Sequence, residues 1–190
     1  MKKGKIIVVS AASGAGKTTL LSHVVERIPH VVYSISATTR PPREHEKHGV
    51  HYFFMSKETF ERKIVENAFA EWQEVHGNYY GTPREFIDAT VTSSKHIIMD
   101  IDVYGKKEFD RDYPEAVGIF VRPPSMDELE KRLRDRNTDA EEVIQTRLKN
   151  ARDEMAFAEK QGKYEYVLIN DYLQQARRDM MTIVTNIIAG

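Results

Sequence analysis

The run Ala11-Ala12-Ser13-Gly14-Ala15-Gly16-Lys17-Thr18, followed by Thr19, constrains this chain more than any other segment. Before it lies Ile6–Val9, a short β-branched run of the kind buried on both faces of a sheet. After it, Leu20, Leu21, Val24, Val25 and Ile28 recur at helical spacing until Pro29 ends the pattern. A strand, a glycine-containing loop and a helix in that order match the Walker A pattern, except that Ala11 stands where the pattern has glycine. Small residues let successive backbone N–H groups turn inward around phosphate oxygens, and the helix N-terminus adds its positive end. In such a loop Lys17 reaches the β- and γ-phosphates and the Thr18 hydroxyl ligates Mg²⁺. The plain alternative is a Gly-Lys-Thr turn joining a strand to a helix.

The rest of the chain supports one α/β domain. Its 190 residues suffice for one sizeable core. Further strand candidates are 31–36, 97–101, 117–121 and 166–169, and helix candidates fall near 57–67, 83–91, 125–136, 139–159 and 172–188. Two helix starts carry capping boxes, Ser125 with Glu128 and Thr138 with Glu141. Strands alternating with helices predict a central parallel sheet covered on both faces, the three-layer α/β/α P-loop NTPase arrangement. The stretch 38–82, dense in Arg, His, Tyr and Gly, breaks the rhythm and reads as an inserted mixed α+β lobe. The predicted division is a core of 1–37, 83–124 and 160–190, the lobe, and a helical segment with its adjoining helix over 125–159.

Net charge is −1, so no global field invites nucleic acid or an anionic membrane, and anion binding must come from local clusters. The absence of cysteine excludes thiolate metal sites and disulfides. The apolar run after the basic N-terminus is far shorter than the roughly 7–15 residues of a secretory signal, so a cytoplasmic protein is expected.

One such cluster is Thr39-Arg40-Pro41-Pro42-Arg43. Two arginines around a proline pair make a stiff cationic corner suited to a second phosphate, or else a solvated loop. Tyr52 and Tyr80 add phenolic donors. Glu71 sits among apolar neighbours in Phe69-Ala70-Glu71-Trp72. A carboxylate there accepts from both N1–H and the exocyclic amine of guanine and repels the N1 acceptor of adenine; the alternative is an exposed strand residue.

With these pieces, the chain resembles the guanylate kinase family. The resemblance rests on the P-loop, residues 36–43, Glu46–Phe54, Gly77–Thr82, Asp100-Ile101-Asp102, Pro123-Pro124-Ser125 and Ile169-Asn170-Asp171, in family order across nearly the whole chain. It implies transfer of the γ-phosphoryl group of ATP to GMP or dGMP with Mg²⁺. It also implies that Arg40, Arg43, Tyr52 and Tyr80 hold the GMP phosphate, and that Ser36, Glu71, Thr82 and Asp102 read guanine. Thr82 has a rival role, because Thr82-Pro83-Arg84-Glu85 is itself a capping box. A homo-oligomer is compatible with this reading. Guanylate-kinase-like binding modules and kinases of other phosphorylated acceptors are the rival classes; Lys17, Thr18 and Asp100 argue against the first, and Glu71 with Ser36 against the second.

Asp100 and Asp102, two apart at the end of a strand, share one side. By resemblance Asp100 acts near Mg²⁺ and Asp102 on the base, against a structural ion pair as the alternative. Arg132, Arg136 and Arg147 resemble the charge-neutralising arginines of a lid, although nearby carboxylates also suit a salt-bridged surface helix. Asn170 would contact adenine by analogy. Three positions depart from the family pattern: Tyr104 where glutamine is usual, and His45 and Asn137 where glycine is usual. His45, His48 and His51 recur every third residue but lack a helical frame to converge on a metal.

Overall fold

The computed structural model describes residues 3–75, 77–135 and 139–190. In chain order its elements are β1 (Ile6–Ala11), α1 (Lys17–Arg27), β2 (Val31–Tyr33), β3 (Ala37–Thr38), β4 (Phe53–Phe54), α2 (Lys57–Val65), β5 (Phe69–Val75) and β6 (Asn78–Pro83). There follow α3 (Arg84–Thr92), β7 (His96–Asp100), α4 (Val103–Asp112), β8 (Val117–Arg122), α5 (Met126–Asp135), α6 (Glu141–Gln161), β9 (Tyr166–Ile169) and α7 (Leu173–Ala189).

Every residue of β1 is buried, because it is the middle strand of a five-stranded parallel sheet in the order β2-β7-β1-β8-β9. Alternation along it divides the core in two. Ile7 and Val9 pack with Leu20 and Val24 of α1, Leu129 of α5, Leu148 of α6 and Met180 of α7. Ile6 and Val8 face the other way, onto Ile87 of α3 and Phe109 of α4. These are the three layers that the alternating pattern predicts. A second sheet, β4-β3-β6-β5, closes over Phe60 of α2 and Phe69, which stack at 4.2 Å. It is mixed, with β3 parallel to β4 and antiparallel to β6.

Four details differ from the expectations. The run 31–36 does not form one strand: β2 stops at Tyr33, and the chain crosses to β3 in the second sheet. Helix α4 has no counterpart in the sequence reading, because its buried stripe is Val103, Lys106 and Phe109, and a lysine hides the apolar period. Lys106 is 1% exposed, bonded to Asp110 at 2.7 Å with its ammonium 4.9 Å from the Tyr164 ring centroid. Pro83 is the N-cap of α3 rather than its first residue, and the Thr82 side chain makes no capping bond there. Ser125 does cap α5, its Oγ accepting from Glu128 N–H at 3.1 Å. Helix α6 starts after an Ala140 N-cap; Thr138 lies outside the described residues, and Glu141 instead accepts from Arg134 at 2.9 Å.

Candidate active site

The two glycines of the P-loop are required by conformation and by space. Gly14 and Gly16 adopt left-handed φ of 82° and 87°, which side chains disfavour. A Cβ on Gly16 would stand 2.7 Å from Asn170 Nδ2, and one on Gly14 would be 3.1 Å from methyls of Leu129 and Leu133. Ala11 belongs to β1 and has no positive φ, so its departure from glycine costs nothing in backbone strain. The loop encloses one side of a cavity of about 400 Å³, lined by Ala11 through Thr19 and, from other elements, by Asp102, Arg147 and Glu154.

A second cavity, of about 350 Å³, lies between the two sheets. Tyr52, Glu71 and Tyr80 line it from the inserted lobe, Ser36 from the connection leading into that lobe, and Asp100 with Asp102 from the end of β7. Lys17 and Asp102 belong to both cavities, so the two sites meet at the P-loop lysine. Lys17 Nζ contacts Asp100 Oδ1, which places an ammonium and a carboxylate at the junction.

Glu71 reaches the second cavity through a β-bulge. The register of β5 against β6 shifts between Phe69 and Glu71, so Phe69 enters the lobe core and Ala70 the main core. Glu71 then pairs across the strands with Thr82, whose hydroxyl donates to Glu71 Oε1 at 2.6 Å. Burial pushes the Glu71 carboxyl up to about 7; the Thr82 hydrogen bond pulls it back, and the charges of Asp102 and Asp100 push it further up.

These two cavities, one lined by the P-loop and one carrying a carboxylate, share a lysine. The family profile described as guanylate kinase matches residues 3–187. The chain belongs to the guanylate kinase family. It is 48% identical to the guanylate kinase of Neisseria gonorrhoeae, covering 96% of this chain and 88% of that protein. It is 46% identical to the guanylate kinase of Fusobacterium nucleatum, covering 98% of each. The crystal structure of guanylate kinase from Anaplasma phagocytophilum superposes with a TM-score of 0.72 at 30% identity, over all of this chain and 88% of that one.

The expected residues divide into those that line a cavity and those that stand outside its walls. Lys17, Thr18, Ser36, Tyr52, Glu71, Tyr80, Asp100 and Asp102 all line a cavity. Asp102 also caps α4, its Oδ1 accepting from Tyr104 and Gly105 N–H, each at 2.8 Å, a role hidden while α4 went unrecognised. Arg40, Arg43 and Thr82 stand outside the walls of the second cavity. Arg40 lies over the Tyr52 ring at 5.5 Å and donates to Glu46 Oε1 at 2.8 Å. Glu46 also accepts from Arg43 N–H at 2.8 Å, and these bonds hold its carboxyl down at about 2. The exposed Arg43 and His45 lie in that turn; His45 has no positive φ, so glycine is not needed there.

Two of the expected residues do not line the P-loop cavity. The Arg132 guanidinium donates to Asn170 O at 2.6 Å, Asp171 O at 2.7 Å and Glu128 at 3.0 Å. Asn170 is buried, and its amide donates to Ala15 O at 2.8 Å, so it braces the P-loop from beneath instead of lining the cavity. Arg147 does line the P-loop cavity, with Asp139 at 3.4 Å. Arg136 and Asn137 lie outside the described residues. Tyr104 packs on Phe157 at 4.7 Å. His51 accepts from Lys47 N–H at 3.0 Å, and no metal-holding group of three acidic, His or Cys residues exists among the described residues. Nor, among them, is any helix long and apolar enough to cross a membrane.

The sequence reading passed over Glu46 and Glu154. Glu46 opens the segment Glu46–Phe54 of the family resemblance but carried no signal for a role of its own. Glu154 did, as a carboxylate on the face of α6 that also carries Ala151 and Ala158, both buried.

Proposed function

We propose that this protein is a guanylate kinase, transferring the γ-phosphoryl group of ATP to GMP or dGMP to give ADP and GDP. The observation that carries this is the meeting of the two cavities at Lys17 and Asp102. ATP lies along the P-loop, with Lys17 at its terminal phosphates, and GMP enters the second cavity with its phosphate toward the same lysine. A GMP phosphate oxygen bonds to the γ-phosphorus as the bond to the β–γ bridging oxygen breaks, and ADP leaves with that electron pair. The attacking oxygen is already ionised, so no strong general base is required; alignment and charge neutralisation carry the rate.

In this reading Tyr52, Tyr80 and the Arg40–Arg43 corner hold the GMP phosphate, with Glu46 fixing Arg40. Glu71 accepts the two guanine donors, and Thr82 orients that carboxylate. Ser36 and Asp102 complete the base pocket, and Arg147 neutralises charge at the donor phosphates. The Thr18 hydroxyl and Asp100 are oxygen donors beside the P-loop, the ligand type Mg²⁺ takes, and Asp100 already holds a cation, the Lys17 ammonium. When bound there, Mg²⁺ would neutralise phosphate charge. We assign residues 38–82 as the GMP-binding lobe, residues 125–159 as the lid region, and the cytoplasm as the site of action.

A coupled ADP-release assay across GMP, dGMP, AMP, CMP, UMP and ribose phosphates tests this function. Guanine nucleotides should be phosphorylated far faster than the others. Comparable turnover of AMP, or none of GMP, would refute it.

A further inference from the structure

A carboxylate with no part in the roles above stands against the phosphate-binding loop. Helix α6 carries Arg147, Ala151, Glu154 and Ala158 along one face, at spacings of four, three and four residues. Ala151 and Ala158 are buried, which fixes the rotation of the helix, while Arg147 and Glu154 line the P-loop cavity. The far end of α6 is held on α4, where Lys107 donates to Gln161 at 2.8 Å and Tyr104 meets Phe157.

Within the loop, the Ser13 N–H donates to Glu154 Oε2 at 2.7 Å, and the Ala15 N–H to Ala12 O at 2.9 Å. Among the described residues the N–H groups of Gly14, Gly16, Lys17 and Thr18 have no backbone acceptor outside the helix, and these remain for an anion.

We infer that Glu154 is a positioning residue for the phosphoryl donor. By taking the Ser13 N–H it registers the lid helix on the P-loop, so that the remaining amides face the triphosphate. The same bond sets the reach of Arg147, which stands seven residues, or about 10 Å, away along that face. This rests on the ATP reading given above. Burial, with the charges of Asp102 and Asp153, raises the pKa of the Glu154 carboxyl, while the Ser13 N–H and the Lys17 charge oppose that rise. A carboxylate that instead occupied a phosphate's own place would give the opposite sign when removed.

The test is steady-state kinetics on Glu154→Ala and Glu154→Gln, varying ATP and GMP separately. Loss of a hydrogen bond to a charged group should raise the KM for ATP about ten- to hundredfold in Glu154→Ala, with the KM for GMP changed less than about twofold. Glu154→Gln keeps an acceptor oxygen and should recover most of the loss. Thermal unfolding without ligand, and the shift in Tm on adding ATP, separate lost affinity from lost fold: a variant that is folded but shows a smaller ATP-dependent shift supports the role. An unchanged KM for ATP, equal rises for ATP and GMP, or tighter ATP binding in both variants would overturn it. Absence of ATP-dependent GMP phosphorylation by the unmodified protein would remove the function and this role together. An unaffected KM for ATP in an active background removes the Glu154 role alone.

Discussion

Raising the pH from 6 to 8 should turn on guanine recognition through Glu71. Its carboxyl is held up at about 7, mainly by burial, against an ordinary value of about 4.3. With that pKa, about one tenth of the side chain is ionised at pH 6 and about nine tenths at pH 8. Only the ionised form accepts from both donors on the guanine edge, so kcat/KM for GMP should rise about tenfold over this interval and then level off. The second ionisation of a nucleotide phosphate, near pH 6, falls in the same window. Glu71→Gln supplies the reference, since it keeps the phosphate titration and lacks the carboxylate. At pH 8 the variant turns an NH₂ group toward the guanine donors and loses charge-assisted bonds worth about 3 kcal/mol, or roughly two orders of magnitude in kcat/KM. The ratio of wild type to Glu71→Gln should therefore grow about tenfold between pH 6 and pH 8. A ratio that stayed flat with pH would refute both the buried carboxylate and its choice of purine. The sign for stability is the reverse. Because the folded pKa is raised, ionising Glu71 weakens the fold as pH climbs from about 4.3 through about 7. Urea unfolding should find Glu71→Gln the more stable protein at pH 8, by up to about 2 kcal/mol after allowance for partial exposure.

Lys17→Ala removes the ammonium shared by both cavities, and kcat should fall by about a thousandfold or more while GMP affinity, read by calorimetry, changes less than about tenfold. Equal losses of GMP affinity and turnover would contradict that division of labour. Asn170→Ala deletes the buried donor to Ala15 O and should weaken ATP and GTP alike as donors, by about 1–3 kcal/mol. A shift in preference between those two donors would show a base contact instead of a brace.

What could be read along the chain was whatever depends on near neighbours. The buried run of β1, the glycines of the P-loop and the periodic helices follow from local rules of φ, periodicity and capping, and Ser125 caps α5 as its spacing requires. Helix α4 escaped because Lys106 occupies the middle of its buried stripe, a position made tolerable only by Asp110 and the Tyr164 ring. With α4 unseen, the capping role of Asp102 was unseen too. The contest over Thr82 was likewise beyond local reasoning, because the hydroxyl had to choose between its own helix and a carboxylate on the neighbouring strand.

The sequence by itself determined the groups available: a P-loop, a lysine, two arginines around a proline pair, a carboxylate among apolar neighbours, and a parallel sheet to carry them. Tertiary structure decided which of those groups line a cavity and which hold the protein together. Asn170 braces Ala15 across 155 residues, Glu154 reaches Ser13 across 141, and Arg132 is taken up by the carbonyls of Asn170 and Asp171. A hydrogen-bonding side chain serves whichever partner packing brings within about 3 Å, and for groups so far apart in the chain only the folded core sets that distance.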